Sequence, residues 1–166
     1  MAVTAMNHFT VLTDAAYLHD GTIFNMAGDS LLVGFNVPFP QPDAPERAWR
    51  TALEMVGRFA PVAAAWRKRH GLELGVGVGM CAGDAIIGNV GSAHYASYTI
   101  IGNPVNTAAR LMQMAAAGEV LLCGPLYQRI RDLLPADRVE GRGDVALRGR
   151  TEPMPVYAVN VMREQA

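Results

Sequence analysis

Tyr98-Thr-Ile-Ile-Gly-Asn-Pro-Val-Asn-Thr-Ala-Ala-Arg110 is the stretch on which the fold turns. Residues 98–101 are aromatic or β-branched and read as a strand. A helix should follow, because Asn103 can cap it and Pro104 suits the first helical position, where its missing N–H costs nothing. Asn106 and Arg110 then stand four residues apart on one helix face. An amide and a guanidinium on one face, near a positive helix N-terminus, form a ready site for a ribose and its phosphates. Taken alone, the same pair is an ordinary polar row on an exposed helix.

Upstream, Gly21-Thr-Ile-Phe-Asn-Met-Ala-Gly-Asp-Ser-Leu-Leu-Val-Gly-Phe35 reads as a hairpin. Residues 22–25 form one strand and 31–35 the next, with Gly28-Asp29 at the turn. Turns of this composition project a carboxylate at their tip. Read alone, Asp29 is a common turn residue with its carboxylate at the tip.

The remaining pattern alternates helix and strand. Helices are expected over 3–18, 46–70, 104–115 and 125–132. Strands are expected over 72–81, 85–90, 119–123, 138–147 and 156–161. Ala48, Ala52, Met55, Phe59, Ala63 and Trp66 fall near one stripe of the long helix, which Pro61 should kink or divide. Residues 92–97 read as a loop. Elements of these lengths predict an α/β sandwich in which helices pack on a sheet.

Composition sets bounds. The chain has 166 residues, 51% hydrophobic and 17% charged, enough for a packed core and suited to a single domain over 1–166. A net charge of −1 argues against nucleic acid as the main partner. The two cysteines, Cys81 and Cys123, form no repeated metal or disulfide spacing and fit a reduced, cytoplasmic setting. No signal-peptide pattern and no long apolar span stands out. Gly75, Gly77 and Gly79 lack the dinucleotide-binding spacing, so small residues there are read as allowing close backbone approach. Arg67-Lys-Arg-His70 sits at a helix C-terminus, where cations complement the dipole. His94 lies in a loop and is read as exposed.

Four segments in order resemble the class III nucleotidyl cyclases, the adenylyl and guanylyl cyclase catalytic domains. Tyr98–Arg110 is similar to their substrate-binding helix, and Gly21–Phe35 to their metal hairpin. Gly77-Val-Gly-Met-Cys-Ala-Gly-Asp-Ala-Ile-Ile-Gly-Asn-Val-Gly-Ser92 parallels a glycine-rich strand segment, and Val145–Tyr157 parallels the closing strands. The resemblance runs from about residue 6 to residue 159 and implies a ferredoxin-like βαββαβ core with additional strands and helices. It also implies that Asn106 orients the ribose, that Arg110 stabilises phosphate charge in the transition state, and that Asp29 binds a cation. The purine-reading positions fall on Asn25 and Thr99. Arg148, beside Gly149, falls near a basic phosphate ligand of the family; otherwise it is an edge charge that discourages strand pairing.

Departures from the family bear on activity. Its first metal Asp stands on an opening strand that nothing here matches, and Asp14 and Asp20 do not occupy that position. The expectation is a chain whose opening strand is missing. Asn25 stands where adenylyl cyclases place Lys and guanylyl cyclases Glu, and an amide can pair with either purine. Thr99 is a residue type common there in bacterial adenylyl cyclases.

The resemblance implies conversion of ATP to 3′,5′-cyclic AMP and pyrophosphate, with GTP as the alternative substrate and Mg²⁺ or Mn²⁺ in a two-metal site. It implies head-to-tail homodimers in which one subunit gives the metal and purine residues and the other gives Asn106 and Arg110. Sensor or transmitter domains often accompany such a domain. The alternative is a catalytically silent relative serving nucleotide binding or dimerisation. A diguanylate-cyclase-like reading fails because Gly-Gly-Asp/Glu-Glu-Phe is absent.

Overall fold

A computed structural model describes residues 2–92, 94–146 and 152–162, and for residues 2–8 and 95 the course of the backbone alone. The chain runs α1 (Ala2–Leu18), β1 (Thr22–Ala27), β2 (Ser30–Gly34), α2 (Ala44–His70), β3 (Val78–Met80), β4 (Ile86–Ser92) and β5 (Tyr95–Ile101). It continues with α3 (Asn103–Met114), β6 (Glu119–Cys123), α4 (Gly124–Ile130), two short 3₁₀ turns, β7 (Val139–Val145) and β8 (Met154–Asn160). This is the mixed α/β class that the alternating pattern predicts.

The strands divide among three hydrogen-bonded sheets among the described residues rather than lying in one. Four form a mixed sheet in the order β3-β6-β8-β7, while β1-β2 and β4-β5 are separate hairpins. In the mixed sheet β3 runs parallel to β6, and the other two pairings are antiparallel. A parallel pair needs a crossover, and α3 supplies it by packing on both β3 and β6. β6 is apolar at every position but the first and buried throughout, as a strand covered on both faces should be.

The main core gathers Trp49 from α2, Leu111 from α3, Val120 and Leu122 from β6, Ile130 from α4 and Val159 from β8, each at most 3% exposed. A second cluster joins Ala15 and Ala16 of α1 to Met55 of α2, with Ile23, Leu31 and Val33 packed against it. The long helix thus serves both cores, but its buried side chains end at Phe59. Ala63 and Trp66, expected on the same stripe, are only half-buried.

Pro61 does not divide α2, which continues to His70. The proline removes the N–H that would bond the Gly57 carbonyl, and Gly57 is exposed, so water can serve that oxygen instead. The glycine segment departs further from expectation. Only Val78–Met80 pairs as a strand, against the predicted 72–81. A Cβ on Gly75 would lie 2.2 Å from the Ala117 side chain, and one on Gly77 2.8 Å from the Ala115 carbonyl oxygen. These residues lie against the segment after α3, which supports the close-approach reading of the small residues. The predicted loop over 92–97 is instead mostly strand, since β4 and β5 pair over seven rungs from Ile86↔Ile101 to Ser92↔Tyr95.

Candidate active site

α3 is seated by one contact of unusual closeness. A Cβ on Gly79 would stand 2.2 Å from both the Ala108 carbonyl oxygen and the Met112 nitrogen. Only a hydrogen there lets the helix backbone rest on β3. Thr107 and Leu111, 1% and 0% exposed, fix the buried side of the helix. Asn106 and Arg110 lie one position back round the helix. Asn106 is exposed, Arg110 half-buried, and four residues of helical rise separate them by about 6 Å along the axis. The predicted pair therefore does share an accessible row. Among the described residues, no carboxylate forms an ion pair with Arg110.

The helix start differs in one detail. Gly102 is the N-cap residue, Asn103 is already helical, and no side chain makes a capping hydrogen bond. The Asn106 N–H donates to the Gly102 carbonyl at 3.3 Å. Pro104 falls in the first turn as expected.

Asp29 sits in the two-residue turn between β1 and β2, beyond the pair Ala27↔Ser30. Gly28 takes φ 61, which glycine adopts without strain; a glycine in the first of two turn positions is the pattern of type II′ hairpins. The Ser30 hydroxyl donates to the Ala27 carbonyl at 2.8 Å and braces the turn. The Asp29 carboxylate is exposed at the tip, with no ion pair among the described residues.

A β-bulge places the purine candidates. The register of β1 on β2 slips between Ile23 and Asn25, leaving Phe24 outside the ladder. Bulges of this kind re-aim side chains. The Phe24 ring lies over Gly34, where a Cβ would meet it at 2.7 Å, and stacks on Tyr98 of β5 with centroids 6.2 Å apart and planes 20° apart. Asn25 and Thr99 each follow a member of that stack, so the two positions lie on neighbouring strands of one chain. Asn25 is exposed and Thr99 half-buried. Thr99 pairs with Gly88, which carries no side chain to cover it. β5 leads directly into α3, so the strand that carries Thr99 adjoins the helix that carries Asn106 and Arg110.

Arg148 lies outside the described residues. Among the described residues no group of three or more His, Cys, Asp or Glu side chains could hold a metal ion. Asp29 offers one carboxylate, and the described residues of a single chain gather no metal-binding group around it. Local reading also missed a cleft of about 250 Å³ lined by Cys81–Asp84, Asn103, Pro104, Pro125 and Met154. It opens beside the first turn of α3, and its walls come from segments distant in sequence.

The family model of the adenylate and guanylate cyclase catalytic domain matches residues 3–161, and the chain belongs to that family. Adenylate cyclase 1 of Rhizobium meliloti (strain 1021) is 29% identical over 154 residues, covering 92% of this chain and 23% of that protein. An uncharacterised protein of Mycobacterium tuberculosis (strain ATCC 25618 / H37Rv) is 30% identical over 148 residues, covering 88% of this chain and 26% of its own length. The chain thus spans about a quarter of the length of these relatives.

Among solved structures, the adenylyl cyclase CyaB from P. aeruginosa matches with a TM-score of 0.87 at 27% identity, over 95% of this chain and 81% of that one. The guanylyl cyclase Cya2 matches with a TM-score of 0.81 at 24% identity, over 96% and 81%, a likeness of fold. The chain is thus a member of the adenylate and guanylate cyclase catalytic-domain family with an adenylyl cyclase among its relatives. No helix among the described residues is long and apolar enough to cross a membrane.

Proposed function

We propose that this domain cyclises ATP to 3′,5′-cyclic AMP and pyrophosphate. The observation that carries the reading is the accessible Asn106–Arg110 row on α3, set beside the strand that bears Thr99. Asn106 would hold the ribose so that its 3′-oxygen faces the α-phosphorus. Arg110 would neutralise charge that grows on the phosphates as pyrophosphate leaves. Such a displacement asks a protein for positioning and charge stabilisation more than for covalent chemistry. Asn25 and Thr99 would read the base. Adenine is favoured by Thr99 and by adenylyl cyclases among the relatives, Adenylate cyclase 1 and CyaB. The family's divalent cation, Mg²⁺ or Mn²⁺, would take Asp29 as one ligand.

The working unit we propose is a head-to-tail homodimer. Ile86, Val90, Tyr98 and Ile101 of the β4–β5 hairpin are between 39% and 70% exposed, and apolar surface of this kind on a projecting ribbon suits burial against a second copy. Asp29 of one chain would serve Asn106 and Arg110 of its partner. The purine pair would belong with the helix, because β1 and β5 stack within one chain; this reverses the division expected from sequence.

The test is product chromatography after incubation with ATP or GTP and Mn²⁺, beside an Arg110→Ala control. Cyclic AMP from the parent and its loss from the variant are expected; cyclic GMP alone would overturn the choice of base. A second reading, a silent relative that binds nucleotide, is favoured by Asn25, which stands where adenylyl cyclases place Lys. Nucleotide binding that depends on Arg110 without any cyclic product would establish it.

A further inference from the structure

We infer that Cys81 and Cys123 form a reversible disulfide that fixes one wall of the cleft beside α3. Met80 and Leu122 are the last partners in the parallel β3–β6 pairing; Cys81 is the first residue after β3 and Cys123 the last of β6, so the two leave that pair side by side. Paired strands lie about 4.8 Å apart, so the rung Met80↔Leu122 sets the chains one residue before the cysteines within the roughly 4.4–6.8 Å that a disulfide spans between Cα atoms. The Ala82 N–H donates to the Cys123 sulfur at 3.4 Å, which puts that sulfur against the peptide bond joining Cys81 to Ala82. Neither residue is in a disulfide in this structure. Cys123 is fully buried, whereas Cys81 is half-buried and lines the cleft.

That asymmetry divides the chemistry. The Cys81 thiolate attacks a hydroperoxide such as hydrogen peroxide; the S–O bond forms, the O–O bond breaks and hydroxide leaves. The Cys123 thiol then attacks the resulting sulfenic sulfur; the S–S bond forms, the S–O bond breaks and water leaves with the thiol proton. Two thiols are oxidised by two electrons, and the peroxide is reduced. A thiol reductant reverses the step. Disulfides in reducing compartments are chiefly transient and regulatory, which fits a switch rather than a staple.

The bridge would tie the 81–84 loop to the end of β6. That loop shares the cleft with Asn103 and Pro104, the first residues of α3. Holding it fixed should slow nucleotide turnover at Asn106 and Arg110, a consequence that rests on the cyclase reading. The bridge itself does not.

The experiment treats the whole chain with hydrogen peroxide, blocks remaining thiols with iodoacetamide and maps peptides without reduction. The chain has only two cysteines, so the assignment is unambiguous. The expected result is a linked Cys81–Cys123 peptide pair in monomeric chain, no alkylation, and return of both thiols with dithiothreitol. Cys81→Ser, at the partly exposed position, should abolish the link while Cys123 remains alkylatable on unfolding. Both thiols still titrating, links only between chains, or sulfinic acid on Cys81 beside an intact Cys123 would each overturn the proposal. Cyclic nucleotide formation is read in parallel and should fall about fivefold on oxidation in the parent and not in Cys81→Ser. Equal turnover by the bridged and reduced chains would overturn the regulatory part. A chain that forms the bridge but makes no cyclic nucleotide in either state would instead fail the cyclase reading.

Discussion

At the scale of single residues, Gly79 and Gly88 separate two uses of glycine. A methyl on Gly79 meets two backbone atoms of α3 at 2.2 Å, and backbone cannot move as the end of a side chain can. Gly79→Ala should therefore cost about 3 kcal/mol, the upper range for overpacking, and shift α3 enough to depress nucleotide binding. Gly88 has open space around it and lies in a regular strand, so Gly88→Ala should be neutral or stabilising by up to about 1 kcal/mol. Urea titrations of the two variants check the contrast; equal midpoints would mean that α3 does not rest on β3 through Gly79. Arg110 belongs to the same scale. It lies outside the buried core, so Arg110→Ala should fold normally and lose roughly 10²–10³-fold in cyclase rate, the usual cost of one positioned donor at developing charge.

At the scale of elements, the start of α2 is tied by charge. Asp43 is its N-cap residue but makes no capping bond; its carboxylate accepts from Arg47 at 2.7 Å, and Arg47 also pairs with Asp20 beyond the end of α1. The Arg47 hydrogen bond holds the Asp43 carboxyl below its ordinary value of 3.8. A depressed carboxyl contributes stability above its unfolded value, and that contribution is lost as pH falls through the lower folded value. Melting curves of the parent and Asp43→Asn should differ slightly near neutral pH and converge in strong acid; a gap that persists there would point to another cause. Elements whose signal is local were legible in the sequence. β6 falls on the predicted 119–123, and α3 differs from its prediction by one residue at each end. The Asn106–Arg110 row followed from helical spacing alone. The bodies of β4 and β5 fall on the strands expected over 85–90 and 98–101, but the far end of the ribbon was not legible, because Ser92 to Ser97 reads as loop until a partner strand supplies its hydrogen bonds. The bulge at Phe24 was illegible for the same reason: the Tyr98 ring that receives Phe24 lies far along the chain. Separation of the strands into three sheets likewise depends on which edges meet, and single-strand patterns do not carry that information.

At the scale of the whole molecule, the question is how many chains make one site. Asp29 stands at the tip of the β1–β2 hairpin, whereas Asn106 and Arg110 lie on α3, and the described residues of one chain gather no metal-binding cluster. The β4–β5 hairpin meanwhile carries exposed apolar side chains on a ribbon that is hydrogen-bonded to no other sheet among the described residues. The head-to-tail pair proposed above would bury the ribbon and bring one chain's hairpin tip to the other chain's helix. Asp29→Ala and Arg110→Ala should each be nearly inactive as pure proteins. Co-expressed with different tags in equal amounts, half of the dimers are mixed, and each mixed dimer holds one site with neither defect. The mixture should thus recover about one quarter of the parent rate, whereas sites contained within one chain would recover nothing. Ile86→Asp, which puts a charge on the exposed face of the ribbon, should weaken association in sedimentation. It should also erase the recovery while leaving the melting temperature of the domain nearly unchanged. Recovery that survives Ile86→Asp would place the shared interface elsewhere, and no recovery from mixed dimers isolated by their two tags would reject the shared site.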